Sequence, residues 1–251
     1  MRMRIFFLCF FFLYPLFACG ESEQVKKVDY AALAQKQWSA FVQKINNPEK
    51  TVKIVFFGDS ITETNFHVHN KPNYVDYMRC YFSARNPRSE TINAGKSGDT
   101  TVKGLERLQA AVLAHKPDLT FVMLGINDCS SWFNVSADDF RVSLKRIVTT
   151  LLESNSAVIV MTQNEMLENP YDGKVTFTHY PEYEKAALEI AREAGVHVID
   201  NYARWKNIKE THYEKFKTYM SDWIHPNEEG HIFFYLTMRD ELETLLASPP
   251  R

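Results

Sequence analysis

The sequence predicts an α/β fold, a three-layer α/β/α sandwich built on a five-stranded parallel sheet with flavodoxin-like topology. Three observations carry that reading. Short apolar runs of strand length alternate with longer segments whose apolar residues recur at helical spacing. The clearest runs are almost wholly apolar, as befits strands covered on both faces. The first three runs end in polar clusters, which is where open parallel sheets hold their ligands.

Taken in order, Val28 to Ile45 places Leu33, Trp38, Phe41, Val42 and Ile45 on one helical face, and Asn46-Asn47-Pro48 stops it. Val52 to Phe57 is a buried strand closed by Gly58. A helix over Asn73 to Ala84 leads to a strand at Glu90 to Asn93, and a helix over Thr101 to His115 leads to a strand at Leu119 to Leu124. Ser136 caps a helix over Ala137 to Glu153, with Asp139 completing a capping box. Strands at Ala157 to Thr162 and Val196 to Asp200 flank a helix over Pro181 to Ala194, and Glu228 to Leu246 is the final helix.

Composition narrows the classes. A chain of 251 residues with 45% hydrophobic and 24% charged residues has enough apolar surface for a sizeable core and is not disordered. Against 31 acidic residues stand 29 basic ones, unclustered, so a nucleic-acid partner is excluded. Met1-Arg2-Met3-Arg4 followed by the uncharged run Ile5 to Phe17 reads as a secretory signal over residues 1–18, too short to span a bilayer. Leu16-Phe17-Ala18-Cys19-Gly20 resembles a bacterial lipobox, which implies lipidation of Cys19 and membrane contact only through that anchor. An ordinary secretory signal with an incidental Cys19 is the alternative. Residues 19–50 form a linker and helix, and 51–248 the main domain. Cys80 and Cys129 are read as free, mostly buried thiols, and no Cys/His spacing suggests a metal.

The strand ends carry the chemistry. The first closes on Gly58-Asp59-Ser60, the second on Asn93 to Asp99, the third on Gly125-Ile126-Asn127-Asp128, and late in the chain Asp222-Trp223-Ile224-His225 puts a carboxylate and an imidazole on one turn. A serine hydroxyl needs a base to become nucleophilic, and histidine titrates in the right range. His225 is the candidate base for Ser60, with Asp222 fixing the tautomer. The backbone N–H groups of Ser60 and Gly98 and the amide of Asn127 are candidate donors to an oxyanion. Asp59 and Asp128 are assigned to orienting backbone and loops.

These blocks, Gly58-Asp59-Ser60-Ile61, Ser97-Gly98-Asp99-Thr100, Gly125-x-Asn127-Asp128 and Asp222-x-x-His225-Pro226-Asn227, resemble those of the SGNH hydrolases of the GDSL esterase/lipase superfamily, in order and over most of the domain. The resemblance implies Ser60, His225 and Asp222 as a catalytic triad and Ser60, Gly98 and Asn127 as the oxyanion hole. It also implies an esterase that needs no cofactor. One departure is Ile61 where the first block usually has leucine.

Plainer readings stand beside these. Ser60 with Glu63 fits a capping box, and Asp222 and His225 fit a turn before the last helix. Gly95-Lys96-Ser97 resembles the end of a phosphate-binding loop, but that motif requires glycine at position 90, which is Glu90. His67 and His69 are candidates for the substrate mouth, while His179 and His212 read as surface residues. Trp132, Phe133, Tyr171 and Tyr180 are candidates for stacking on sugar rings, with ordinary core or surface packing as the alternative. The expected substrate is an acetylated carbohydrate at the bacterial cell envelope. A lysophospholipase or thioesterase, and a non-catalytic glycan-binding lipoprotein, are the alternatives.

Overall fold

The structure, a computed structural model, describes residues 28–63, 68–168, 177 and 180–247. The leader with Cys9 and Cys19, and also His67, Tyr171 and His179, lie outside the described residues. The elements run α1 (Tyr30–Ile45), β1 (Val52–Gly58), α2 (Tyr74–Arg85), β2 (Ser89–Gly95), α3 (Thr101–Ala111), β3 (Leu119–Met123), α4 (Ala137–Glu153), β4 (Ala157–Met161), α5 (Tyr180–Ala194), β5 (His197–Ile199), α6 (Asn201–Thr211), α7 (Tyr213–Thr218) and α8 (Glu228–Ala247).

The five strands are parallel in the order β2-β1-β3-β4-β5. β1 lies between β2 and β3, with Gly58 level with Gly95 on one side and Met123 on the other. The chain leaves β1 in one direction, through α2 to β2, and returns across it through α3 to β3. That reversal opens a crevice at the carboxyl end of β1, where ligands bind in sheets of this kind.

Alternation along β1 fills both layers. Phe56 stacks on Phe121 with ring centroids 4.5 Å apart and meets Tyr74 of α2 edge-on, while Tyr74 in turn packs on Phe234 of α8. Phe57 faces α3, where the guanidinium of Arg107 lies 4.6 Å from its ring centroid. On that second layer α3, α4, α5 and α1 pack side by side. Trp38, Phe41 and Ile45 of α1 are buried in the common core, so the helix before β1 is part of the packed body.

Boundaries follow the local chemistry. Asp29 caps α1 through its carboxylate to Ala32 N–H at 3.1 Å, and Ser136 caps α4 by accepting from Asp139 N–H at 3.1 Å. The Asp139 carboxylate accepts a hydrogen bond from the Ser136 hydroxyl at 2.7 Å rather than closing the capping box on backbone. The helix expected over Thr101 to His115 breaks at Val112 into a short 3-10 turn. Among the described residues the two cysteine thiols are free, and Cys129 is buried as expected. Cys80 is exposed, because it falls on the outer face of α2. Among the described residues no helix is long and apolar enough to cross a membrane.

Candidate active site

The first wall of the crevice is the turn after β1. Thr62 N–H and Glu63 N–H both donate to the Asp59 carbonyl, at 3.2 and 3.0 Å, and Ile61 N–H donates to the Asp59 carboxyl at 3.0 Å. These bonds curl the chain around Asp59 and leave Ser60 half-buried at the bend. Gly58 makes the turn possible: a Cβ there would lie 2.1 Å from Thr62 Oγ1 and 2.8 Å from the Met123 carbonyl. Glu63 closes no capping box. Its carboxylate accepts from Ser97 N–H at 2.9 Å and from the Ser97 hydroxyl, tying the serine turn to the loop after β2.

Asp59 itself is fully buried beneath the site. Burial pushes its carboxyl up to about 7, even though hydrogen bonds from Ile61 N–H and the Gln163 amide oppose the shift. Gln163 Nε2 donates to Asp59 at 2.6 Å, and Gln163 Oε1 is buried without a partner.

The loop after β2 supplies Gly98. Its φ of +74° is the reason for glycine, because a Cβ there would meet nothing closer than Phe133 Cζ at 3.6 Å. The next residue anchors the loop. The Asp99 carboxylate is paired with Arg107 Nε two turns along α3, and the same guanidinium donates to the carbonyls of Gly58 at 3.1 Å and Ala94 at 2.9 Å. One arginine thus joins the ends of β1 and β2 to the glycine loop.

From β3 come Asn127 and Asp128. The Asn127 amide donates to the Asp99 carbonyl at 2.8 Å. Asp128 accepts from Thr101 N–H at 2.9 and 3.0 Å and from the Thr101 hydroxyl, fixing the start of α3. Burial raises its carboxyl to about 6 against those hydrogen bonds.

The last wall lies between α7 and α8. Ser221 N–H donates to the His225 carbonyl at 2.8 Å, and Met220 pairs with Pro226, so residues 220–226 form a closed turn. Asn164, just beyond β4, donates to the Ile224 carbonyl at 2.9 Å, and Leu167 N–H to that of Trp223 at 2.9 Å. Asp222 accepts from three N–H groups: Ile224 and His225 backbone at 2.8 and 2.7 Å, and His225 Nδ1 at 2.8 Å. Burial alone would raise its carboxyl, but the hydrogen bonds from the His225 ring and backbone outweigh it and bring it to about 2. Ionised, Asp222 only accepts, so His225 Nδ1 holds the proton and Nε2 offers a lone pair. His225 Nε2 lies 2.9 Å from Ser60 Oγ.

The structure therefore brings together Ser60, His225 and Asp222, with Gly98 and Asn127 on the adjoining loops. It separates other candidates. Tyr180 is buried with its hydroxyl accepting from Gln163 N–H at 2.7 Å, which removes it from any sugar-stacking surface. His69 is exposed, and no group of three or more His, Cys, Asp or Glu among the described residues is arranged to hold a metal ion. Sequence reasoning missed Gln163 and Asn164, although the polar cluster closing β4 is the same signal that exposed the other strand ends. Arg107 had no local signal, because its partners are two helical turns or a strand away.

A model of the GDSL-like lipase/acylhydrolase family matches residues 56–232. The chain is 30% identical over 141 residues to an uncharacterized lipoprotein, YqeF, of Bacillus subtilis, covering 54% of this chain and only 57% of that protein's length. It is 25% identical over 201 residues to an acetylxylan esterase of Geobacillus stearothermophilus, covering 72% of this chain and 89% of that one. Among solved structures it is similar to a lipase/acylhydrolase from Enterococcus faecalis, at 28% identity and a TM-score of 0.66, covering 77% and 96% of the two chains. It shares the fold of the Geobacillus stearothermophilus acetylxylan esterase, at 23% identity and a TM-score of 0.65, covering 82% and 98%.

Proposed function

Because the chain belongs to the GDSL-like lipase/acylhydrolase family and hydrolyses ester bonds, we propose that Ser60 is its nucleophile, His225 its general base and acid, Asp222 the carboxylate that orients the imidazole, and an acetylated carbohydrate its substrate. The unbroken line of hydrogen bonds from Asp222 through His225 to Ser60, 2.8 and 2.9 Å long, carries this reading.

As Ser60 Oγ attacks the ester carbonyl carbon, its proton passes to His225 Nε2 and the carbonyl π pair moves onto oxygen. The resulting oxyanion is met by the N–H groups of Ser60 and Gly98 and by the Asn127 amide, which are aimed before charge develops. Collapse of this intermediate breaks the bond to the alcohol, which leaves with the proton from His225. Water then attacks the acetyl-serine, giving its proton to the same nitrogen. Acetic acid departs as the second tetrahedral intermediate collapses, its bond to Ser60 Oγ breaking and that oxygen taking the proton back from His225. Ester and water become acid and alcohol, and every proton in transit rests on Ser60 or His225, so the cycle draws on no cofactor.

The acetyl and carbohydrate assignments are supported by the acetylxylan esterase relative, which aligns over 89% of its length. The leader and the Bacillus subtilis lipoprotein relative support a place in the bacterial cell envelope, lipid-anchored through Cys19 or secreted. The test is hydrolysis of p-nitrophenyl esters from acetate to palmitate beside the Ser60→Ala variant. Activity confined to short chains and lost in the variant is expected, whereas a preference for long chains would sink the acetylesterase assignment.

A further inference from the structure

The loop after β3 holds two large aromatic side chains in water. Trp132 is 79% exposed and Phe133 37%. The turn that carries them is rigidly made: Phe133 N–H and Asn134 N–H both donate to the Ser130 carbonyl, at 3.1 and 2.9 Å, and Trp132 N–H donates to Ser130 Oγ at 3.2 Å. Ser130 is buried, and Asn134 takes a left-handed φ of +49° to close the turn. An indole kept in solvent by a fixed backbone is an unfavourable placement unless something covers it.

Its place relative to the crevice is given by its neighbour. Phe133 Cζ would lie 3.6 Å from a Cβ at Gly98. The Lys103 ammonium sits 4.3 Å from the Phe133 ring centroid and donates to the Gly98 carbonyl at 3.2 Å, locking ring and glycine loop together. A cation therefore occupies the Phe133 ring, whereas Trp132 presents a largely bare indole one residue away.

Such a surface suits a ligand with an apolar face and a polar rim. A pyranose ring has both: its axial C–H groups lie flat on an aromatic face while its hydroxyls stay in water. Because the turn is already ordered, little conformational freedom is lost on binding. We propose that Trp132, carried on the Ser130–Asn134 turn next to the Phe133 ring that lies against Gly98, is the stacking platform for the sugar that bears the ester, with Phe133 as the inner edge. This rests on the reading of the Ser60 site as a carbohydrate deacetylase.

The test compares Trp132→Ala and Trp132→Phe in the full chain on two esters, acetylated xylooligosaccharides and p-nitrophenyl acetate. Expected for Trp132→Ala is a rise in KM for the oligosaccharide of about tenfold with a smaller change in kcat, at least about fivefold greater than any loss on p-nitrophenyl acetate, and substantial recovery in Trp132→Phe. Equal losses on both esters, or none on the oligosaccharide, would overturn the platform. A wild-type enzyme that ignores acetylated oligosaccharides would instead overturn the substrate reading. Calorimetric titration of unacetylated xylooligosaccharide into Ser60→Ala, with and without Trp132→Ala, then decides the platform by itself. Binding that disappears with Trp132 supports it, and no binding, or binding indifferent to Trp132, rejects it.

Discussion

The amide of Asn127 donates to the backbone carbonyl of Asp99 across 2.8 Å. This bond links the loop after β3 to the residue that follows Gly98, so two of the three groups proposed to receive the oxyanion are set by one contact. It also restrains the Asn127 side chain by spending one of its two amide protons on Asp99.

Replacing Asn127 by alanine is expected to lower kcat by about 10²–10³ with a smaller change in KM, because the lost donor acts chiefly in the transition state. Steady-state kinetics on p-nitrophenyl acetate checks this. An effect on KM alone would assign Asn127 to ground-state binding.

Ser60→Ala removes only a hydroxyl at a half-buried bend. Turnover is expected to fall by about 10⁴ to 10⁶ while the unfolding midpoint moves by less than about 2 °C. Residual activity close to wild type would dismiss Ser60 as the nucleophile.

For Asp222→Asn the backbone acceptor role survives, but the imidazole no longer has an anionic partner and its tautomer is free to invert. The expected loss in kcat is about 10⁴. In the wild type, the contribution of Asp222 to stability is present above its ordinary value of 3.8 and is lost only as pH falls toward about 2. The wild type should therefore lose stability on acidification below pH 4 more steeply than Asp222→Asn, as followed by thermal melts.

Asp59 works in the opposite sense. Its folded carboxyl is pushed above the ordinary value, to about 7, so the folded state binds more protons than the unfolded one between roughly pH 4 and 7. Stability contributed by neutral Asp59 is present at the acid end of that window and declines as pH rises through it. Asp59→Asn keeps an acceptor for Ile61 N–H and does not titrate, so its melting temperature should vary less with pH across the window than that of the wild type. Parallel melting profiles of the two proteins would contradict a neutral Asp59.

Arg107→Met should leave the Asp99 carboxylate buried without its cation, at about 3 kcal/mol of stability. It also releases Gly58 and Ala94 from a shared donor. Urea unfolding gives the stability change, and a fall in kcat larger than the rise in KM would report loosening of the glycine loop.

Much of this molecule was legible in the sequence for reasons that are physical. The strands announced themselves through apolar runs, and the site through polar residues placed where such runs stop. The helices α6 and α7 were invisible because they bury little: Asn201 and Trp205 are the buried residues of α6, and Phe216 that of α7. A helix covered by one large side chain has no periodic stripe to read. For Tyr180 the sequence leaves sugar stacking and core packing both open, because nothing in its neighbours reveals that α5 turns it inward onto Gln163. The bracing contacts of Arg107, Gln163 and Asn164 span long distances along the chain and follow no motif.

His225, which faces Ser60, stands 165 residues after it, and the turn that holds it is fastened to the end of β4 by Asn164 and followed by α8. A growing polypeptide emerging from the ribosome therefore displays its serine long before the imidazole exists. All five strands are made before the imidazole, so a truncated chain lacking residues beyond about 220 retains every strand yet has an unactivated hydroxyl. Synthesis itself keeps the proposed ester-cleaving chemistry silent until all five strands have been made.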